Sequence, residues 1–253
     1  MTRLAGLNAM VTGAASGFGR GIVEAFAAEG AAVLVTDLDG VGAEAVAANL
    51  RAGGAKAEGM AVDITDMASL EAGVARAEEA FGTLSTMVAN AGIGQRPARA
   101  SETPADEMRR QYEVNGIGPA LTCQAAIPAL RRHGEGASII LTVSAIALTA
   151  RPEFCAYGMA KSASSYFLKS LALDLAPEGI RVNGLYPGVS DTPMFGEFSD
   201  GDLSKAAGFA AALPMGRMPK PVDVGAAAVF LAAPGEAGIL TGVALPVDAG
   251  RTI

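Results

Sequence analysis

The chain has 253 residues, 51% of them hydrophobic and 18% charged, which suits one large α/β domain or two small ones and excludes a disordered or fibrous chain. A net charge of -7 argues against nucleic acid or an anionic membrane as partner, and no membrane-spanning run or signal peptide is expected. Two cysteines without disulfide or zinc spacing fit a reducing, cytoplasmic setting, and a lone His133 in a charged, glycine-flanked stretch leaves no metal site to expect.

Strand and helix patterns alternate from end to end. The apolar run 8–12 opens into Thr12-Gly13-Ala14-Ala15-Ser16-Gly17-Phe18-Gly19, and helical spacing follows over 19–29. Gly13 permits a tight turn, Gly17 lets a pyrophosphate approach the backbone, and Gly19 lets helix and strand pack closely. The helix N-terminus offers free N–H groups and a positive dipole end to phosphates. A second strand at 32–36 ends at Asp37, about 20 residues beyond the loop, where dinucleotide-binding units carry an acidic residue. A carboxylate there accepts hydrogen bonds from a ribose diol and repels a 2′-phosphate. Neither Ser16 nor Leu38 supplies a compensating cation. NAD is therefore the expected cofactor, although a turn begun with Asp39 and Gly40 would be a plainer use of Asp37.

Further strands are expected at 57–62, 84–89, 138–143, 181–186 and 243–247, and helices at 66–81, 103–132 and 155–176. Strands separated by helices imply a parallel sheet. Continuous apolarity agrees, because such strands are covered on both faces. The expected fold is a doubly wound α/β (Rossmann) single domain with seven parallel strands.

The strand at 138–143 leads into Ser144, thirteen residues before Tyr157. That puts a hydroxyl at a strand's carboxyl end, where open α/β sheets place ligands. Tyr157 and Lys161 stand at i and i+4 and share a helix face. A phenol ionises near pH ~10, so a base near neutrality needs help of about 3–4 kcal/mol. A lysine charge about 4 Å away supplies roughly 4 kcal/mol at a surface-like dielectric. The triplet reads as an activated tyrosine; a partly exposed surface pair is its ordinary alternative. Between 190 and 219, prolines, glycines and Met194, Phe195 and Phe198 break the pattern. An excursion of this length is commonly a lid over a pocket.

Together these motifs resemble the classical short-chain dehydrogenase/reductase family over nearly the whole chain. The glycine loop has that family's T-G-x-x-x-G-x-G form. Asp63-Ile64 matches its adenine-contacting pair, and Asn90-Ala91-Gly92 its N-A-G motif, with Ala89 where an asparagine is usual. Asn115, Ser144, Tyr157 and Lys161 match its catalytic tetrad, and Pro187-Gly188-Val189 with Thr192 the segment that holds the nicotinamide carboxamide. Asp248-Ala249-Gly250 stands where D-G-G is common. The resemblance implies hydride transfer between nicotinamide and a carbinol carbon, with Tyr157 as acid and base and Ser144 on the reacting oxygen. It gives Lys161 the nicotinamide ribose, and Asn115 a water linking Lys161 to solvent. A core amide that bends its helix is the other reading of Asn115.

The substrate pocket is expected from Gly94, Gln95, Ser144, Ile146, Phe154, Tyr157, Met194 and Phe195, a mostly apolar set that suits a hydrophobic secondary alcohol or ketone. Arg96, Arg99, Arg151 and Glu153 could modify it by reaching inward. The alternatives are a 3-oxoacyl-thioester reductase, which normally uses NADPH and a basic patch, both missing here, and an idle NAD-binding scaffold or sensor. By family likeness the chain is a homo-tetramer or dimer through the helices 103–132 and 155–176. Their small residues Ala163, Ser164 and Ser165 equally suit packing within one subunit.

Overall fold

Seven runs that are apolar on both sides become the strands β1 (Asn8–Val11), β2 (Ala32–Asp37), β3 (Ala57–Ala61), β4 (Thr86–Ala89), β5 (Ser138–Thr142), β6 (Arg181–Pro187) and β7 (Ala244–Val247). In the computed structural model, which describes residues 2–253, they form one sheet in the order β3-β2-β1-β4-β5-β6-β7. All neighbours run parallel. Successive side chains alternate between faces, so Met10, Leu34, Met87 and Ile139 enter one core while Val11, Val33, Val35, Val88 and Ile140 enter another. The first core is roofed by α3 (Met67–Phe81), α5 (Gly118–His133) and α6 (Cys155–Leu175) through Leu70, Val74, Leu130 and Leu168. The second is roofed by α1 (Gly17–Ala28), α2 (Gly40–Ala52) and α9 (Pro221–Ala232) through Ile22, Phe26, Val46 and Val229.

The helix expected over 103–132 is two. α4 (Ala105–Tyr112) and α5 are joined by a wider π turn at Glu113–Ile117 that contains Asn115. Pro119 has no N–H to give the Asn115 carbonyl four residues back, and the Ser164 hydroxyl donates to that carbonyl instead at 2.6 Å. Ser165 is likewise used inside the subunit, 2.8 Å from the Tyr186 hydroxyl. The excursion at 190–219 holds α7 (Phe195–Phe198) and α8 (Ala206–Ala211). Its base is drawn together by the Ser190 hydroxyl donating to the Pro219 carbonyl.

Candidate active site

The sheet reverses direction of winding between β1 and β4, and a cleft of about 510 Å³ opens above the carboxyl ends there. Gly13, Ser16, Gly17, Phe18, Asp37, Leu38, Asp63 and Ile64 line one end. At Gly19 a Cβ would fall 2.1 Å from the Gly13 carbonyl oxygen, so only glycine lets α1 start there. Ser16 makes no side-chain cap on α1, and the first N–H in the helix with a partner is that of Arg20. The N–H groups of Gly17, Phe18 and Gly19 are thus unspent donors among the described residues, which fits an anionic pyrophosphate. Asn90 braces this loop by donating to the Thr12 and Gly13 carbonyls at 3.0 and 3.1 Å. The Asp37 carboxylate does the same, accepting from the Ala15 N–H at 3.0 Å and the Asp39 N–H at 3.1 Å. Thr65 holds the Asp63 carboxyl below its usual range through its N–H and its hydroxyl.

At the other end stand Ser144, Tyr157 and Lys161, with Ala91, Gly92, Pro187, Gly188, Val189 and Thr192 between the two ends. Tyr157 and Lys161 lie in α6, whose start is fixed by the stretch after β4. Ala98 pairs with Phe154, and Glu153 takes a left-handed φ of 70°. Gln95 accepts from the Tyr157 N–H at 2.8 Å and donates to the Glu153 carbonyl at 3.2 Å. It is buried and does not line the cleft, so the expected substrate contact is instead a cap on the first turn of α6. Gln95→Leu should therefore cost about 1–3 kcal/mol of stability, read as a lower melting temperature. An unchanged melting temperature with a raised KM would return Gln95 to the pocket.

The tyrosine and lysine are both buried, at 6% and 3% exposure. Burial pushes the Tyr157 phenol up to about 12, and a hydrogen bond from Ser144 pulls it back only in part. Burial draws the Lys161 ammonium down to about 8. The ammonium sits 5.9 Å from the Tyr157 ring centroid. The expectation of a phenol drawn down toward neutrality by the lysine charge is corrected: in the fold, burial of the phenol moves it the other way. Lys161 donates to the Thr142 carbonyl at 3.0 Å, which leaves two of an ammonium's three donors unspent. Beside it the buried Thr142 hydroxyl has no partner. These groups fit the hydroxyls of a nicotinamide ribose.

Four other expected residues do not line the cleft wall. Asn115 is fully buried and donates to the Ile93 carbonyl at 2.9 Å and the Gln111 side chain at 2.6 Å, while accepting from the Ile93 N–H at 3.1 Å. Its amide braces the helix turn against the β4 exit, and its Oδ1 lies over Gly92 as the Lys161 Nζ does, so the core brace stands next to the lysine. Gly94 is buried under the excursion, a Cβ there meeting Glu197 at 3.0 Å. Gly19 packs closely on Gly13 while its N–H remains among the loop's unspent donors. Phe195 points into the excursion's own core, edge-on to Phe209 at 5.7 Å. The aromatic wall of the pocket is instead Phe198, whose ring centroid is 5.3 Å from Tyr157 and 5.6 Å from Phe154. Ile146, Phe154 and Met194 line the pocket as expected, whereas Arg96 and Arg99 are exposed outside it. Arg151 reaches in, and Glu197 and Arg251 join it without any sequence signal.

A sequence model of a family described as enoyl-(acyl carrier protein) reductase matches residues 13–252. A 2,5-dichloro-2,5-cyclohexadiene-1,4-diol dehydrogenase of Sphingobium indicum is 37% identical, across 99% of this chain and 98% of its own. A 3-ketoacyl-(acyl-carrier-protein) reductase from Brucella melitensis, solved with NADH, is 38% identical with a TM-score of 0.89, over 99% of this chain and 100% of that one. A short-chain dehydrogenase from Burkholderia cenocepacia, solved with NADP, is 33% identical with the same TM-score of 0.89, over 99% and 100%. A sheet of this order, a tyrosine and lysine one helical turn apart at its cleft, and likeness along the whole chain lead to one conclusion: the chain belongs to the classical short-chain dehydrogenase/reductase family, as an oxidoreductase of alcohols and ketones.

Proposed function

We propose that this oxidoreductase uses NAD(H) and interconverts a hydrophobic, ring-sized secondary alcohol and its ketone, with Tyr157 as general acid and base. The observation that carries this reading is one cleft with Asp37 at one end and buried Tyr157, Ser144 and Lys161 at the other. The nicotinamide, when bound, supplies the acceptor or donor of hydride. Gly13 through Phe18, Asp63-Ile64 and Asn90-Ala91-Gly92 form the bed for the rest of the dinucleotide, and Pro187, Gly188, Val189 and Thr192 the wall at its carboxamide. Ser144 holds the substrate oxygen, and Tyr157 takes its proton in oxidation or returns it in reduction. Burial keeps the phenol protonated at neutral pH, so it stands ready as the acid for ketone reduction. Alcohol oxidation, which needs the phenolate, accelerates as pH rises.

Asp37 supports NAD over NADP, because a 2′-phosphate would face a carboxylate with no cation beside it. Arg151, Lys161 and Arg251, the cations of the cleft, belong to the opposite end. The expected kcat/KM ratio favours NAD by roughly 10²-fold, the equivalent of about 2–3 kcal/mol of charge repulsion, and Asp37→Ser should shrink it. A preference for NADPH in steady-state assays overturns the cofactor reading. The thioester-reductase alternative has the name of the Brucella neighbour behind it, and acetoacetyl-coenzyme A reduction faster than that of any cyclic ketone would favour it.

The segment 190–219, tied at its base through Ser190, acts as a lid that sets Met194 and Phe198 over the substrate. A homo-oligomer through α5 and α6 is supported by Met159, Tyr166 and Leu173, which expose an apolar stripe at two-turn spacing along α6. The two free thiols support a cytoplasmic site of action. No helix among the described residues is long and apolar enough to cross a membrane.

A further inference from the structure

Two guanidinium groups share the substrate end of the cleft with no carboxylate paired to them. Arg151 and Arg251 both line the cavity that holds Phe154, Tyr157 and Phe198. By contrast Arg3, Arg76, Arg131 and Arg217 each hold a carboxylate at 2.6–2.7 Å, and the buried Arg181 donates to the Leu231, Ala232 and Ala237 carbonyls. Among the described residues, the side chains of Arg151 and Arg251 have neither an ion pair nor a hydrogen bond. Both are built into place. The Arg151 guanidinium lies 4.4 Å from the Phe154 ring centroid and 5.0 Å from that of Phe209. Such stacking orients the planar fork while leaving its N–H edge unspent. Arg251 is delivered by a tight C-terminal turn in which the Asp248 carboxylate accepts from the Gly250 and Thr252 N–H groups, each at 3.0 Å, and from the Thr252 hydroxyl at 2.7 Å. That carboxylate is thereby committed to backbone rather than to Arg251.

The charge is costly where it stands. Burial pulls the Arg151 guanidinium below its usual range, and the neighbouring Arg251 charge adds to this, against an opposing pull from Glu153. Glu197 also lines the cavity but is exposed at its rim and pairs with neither arginine. Among the described residues no carboxylate closes into an ion pair with this half-buried pair of like charges, which leaves it open to an anionic ligand.

We infer that Arg151 and Arg251 form an anion subsite, and that the substrate carries a carboxylate on the far side of its apolar body from the reacting carbon. This deepens the dehydrogenase reading and rests on it for the identity of the reacting carbon. The apolar wall of Phe154, Phe198 and Ile146 takes the ring, while the arginines fix which carbon faces Ser144 and Tyr157.

Calorimetric titration of cyclohexanecarboxylate into the NADH-bound protein is expected to give saturable binding, with the neutral cyclohexanecarboxamide at least about tenfold weaker. Arg151→Met and Arg251→Met should each weaken binding of the acid by about tenfold or more. Arg99→Met, on the exposed loop outside the cleft, should not. No saturable binding of the acid, equal affinity for acid and amide, or an equal loss in Arg99→Met overturns the subsite. A separate assay follows NADH-dependent reduction of 4-oxocyclohexanecarboxylate and 4-methylcyclohexanone. Equal kcat/KM for the two ketones removes the subsite and keeps the dehydrogenase reading. No turnover of either, with arginine-dependent acid binding intact, removes the dehydrogenase reading and keeps the subsite.

Discussion

Tyr157→Phe is expected to lower turnover by roughly 10²–10⁴-fold, the range that a positioned general acid or base contributes, while nucleotide affinity stays within a factor of about two. The substitution removes one oxygen and keeps the ring that packs against Phe198 at 5.3 Å. The cleft keeps its shape, and the loss falls on kcat. The pH dependence separates this from a merely structural effect. Burial holds the phenol up at about 12, so in the wild type the fraction able to accept a proton grows as pH rises through the alkaline range. Oxidation by the wild type should therefore climb with pH, whereas the residual rate of the Phe variant should be flat. Substantial turnover in Tyr157→Phe, or the same alkaline climb in its residual rate, would remove the tyrosine from the reaction.

What could be read from the sequence was whatever backbone geometry demands of residue type. The glycine loop was legible because a Cβ at Gly13 or Gly19 would strike backbone within 3 Å. The strands were legible because both faces of the sheet are covered, leaving no polar alternation. Ser144, Tyr157 and Lys161 were legible because their spacing converts directly to a strand end and one helix face. Quantities set by burial were not. Spacing brings an ammonium near a phenol, but the sign of the phenol's shift depends on how far both are from water, which only the packed fold decides. The phase of a one-turn helix was equally hidden: Phe195 and Phe198 are three apart in α7, and nothing in their neighbours tells which faces Tyr157. Asn115 needed Pro119 and Ser164 to be read with it, partners 4 and 49 positions away. Arg251 reaches the cleft only because Asp248 folds the tail back. The same turn explains why a glycine is common at the position of Ala249, which adopts a left-handed φ of 57°.

Lys161→Met should abolish most activity and yet yield a more stable protein. The buried ammonium titrates at about 8 in the fold against 10.5 when solvated. Below pH 8 the lysine is charged in both the folded and unfolded chains, so the fold carries the whole desolvation cost, about 3 kcal/mol at roughly 1.4 kcal/mol per pH unit. Between pH 8 and 10.5 the folded chain has released the proton that the unfolded chain still binds, so wild-type stability rises with pH. Above that window the cost is gone. Methionine fills similar volume without charge and forfeits only the hydrogen bond to the Thr142 carbonyl, worth about 1 kcal/mol. A net gain of about 2 kcal/mol at pH 7 corresponds to a melting temperature higher by roughly 4–8 °C for a domain of this size. That advantage should shrink steadily as pH passes from 8 to 10. Activity falls because the variant lacks the donors for a ribose. A variant that melts below the wild type at pH 7 would mean that the ammonium stabilises the fold. The cleft would then hold its lysine for structural support and not at a cost in stability that catalysis requires.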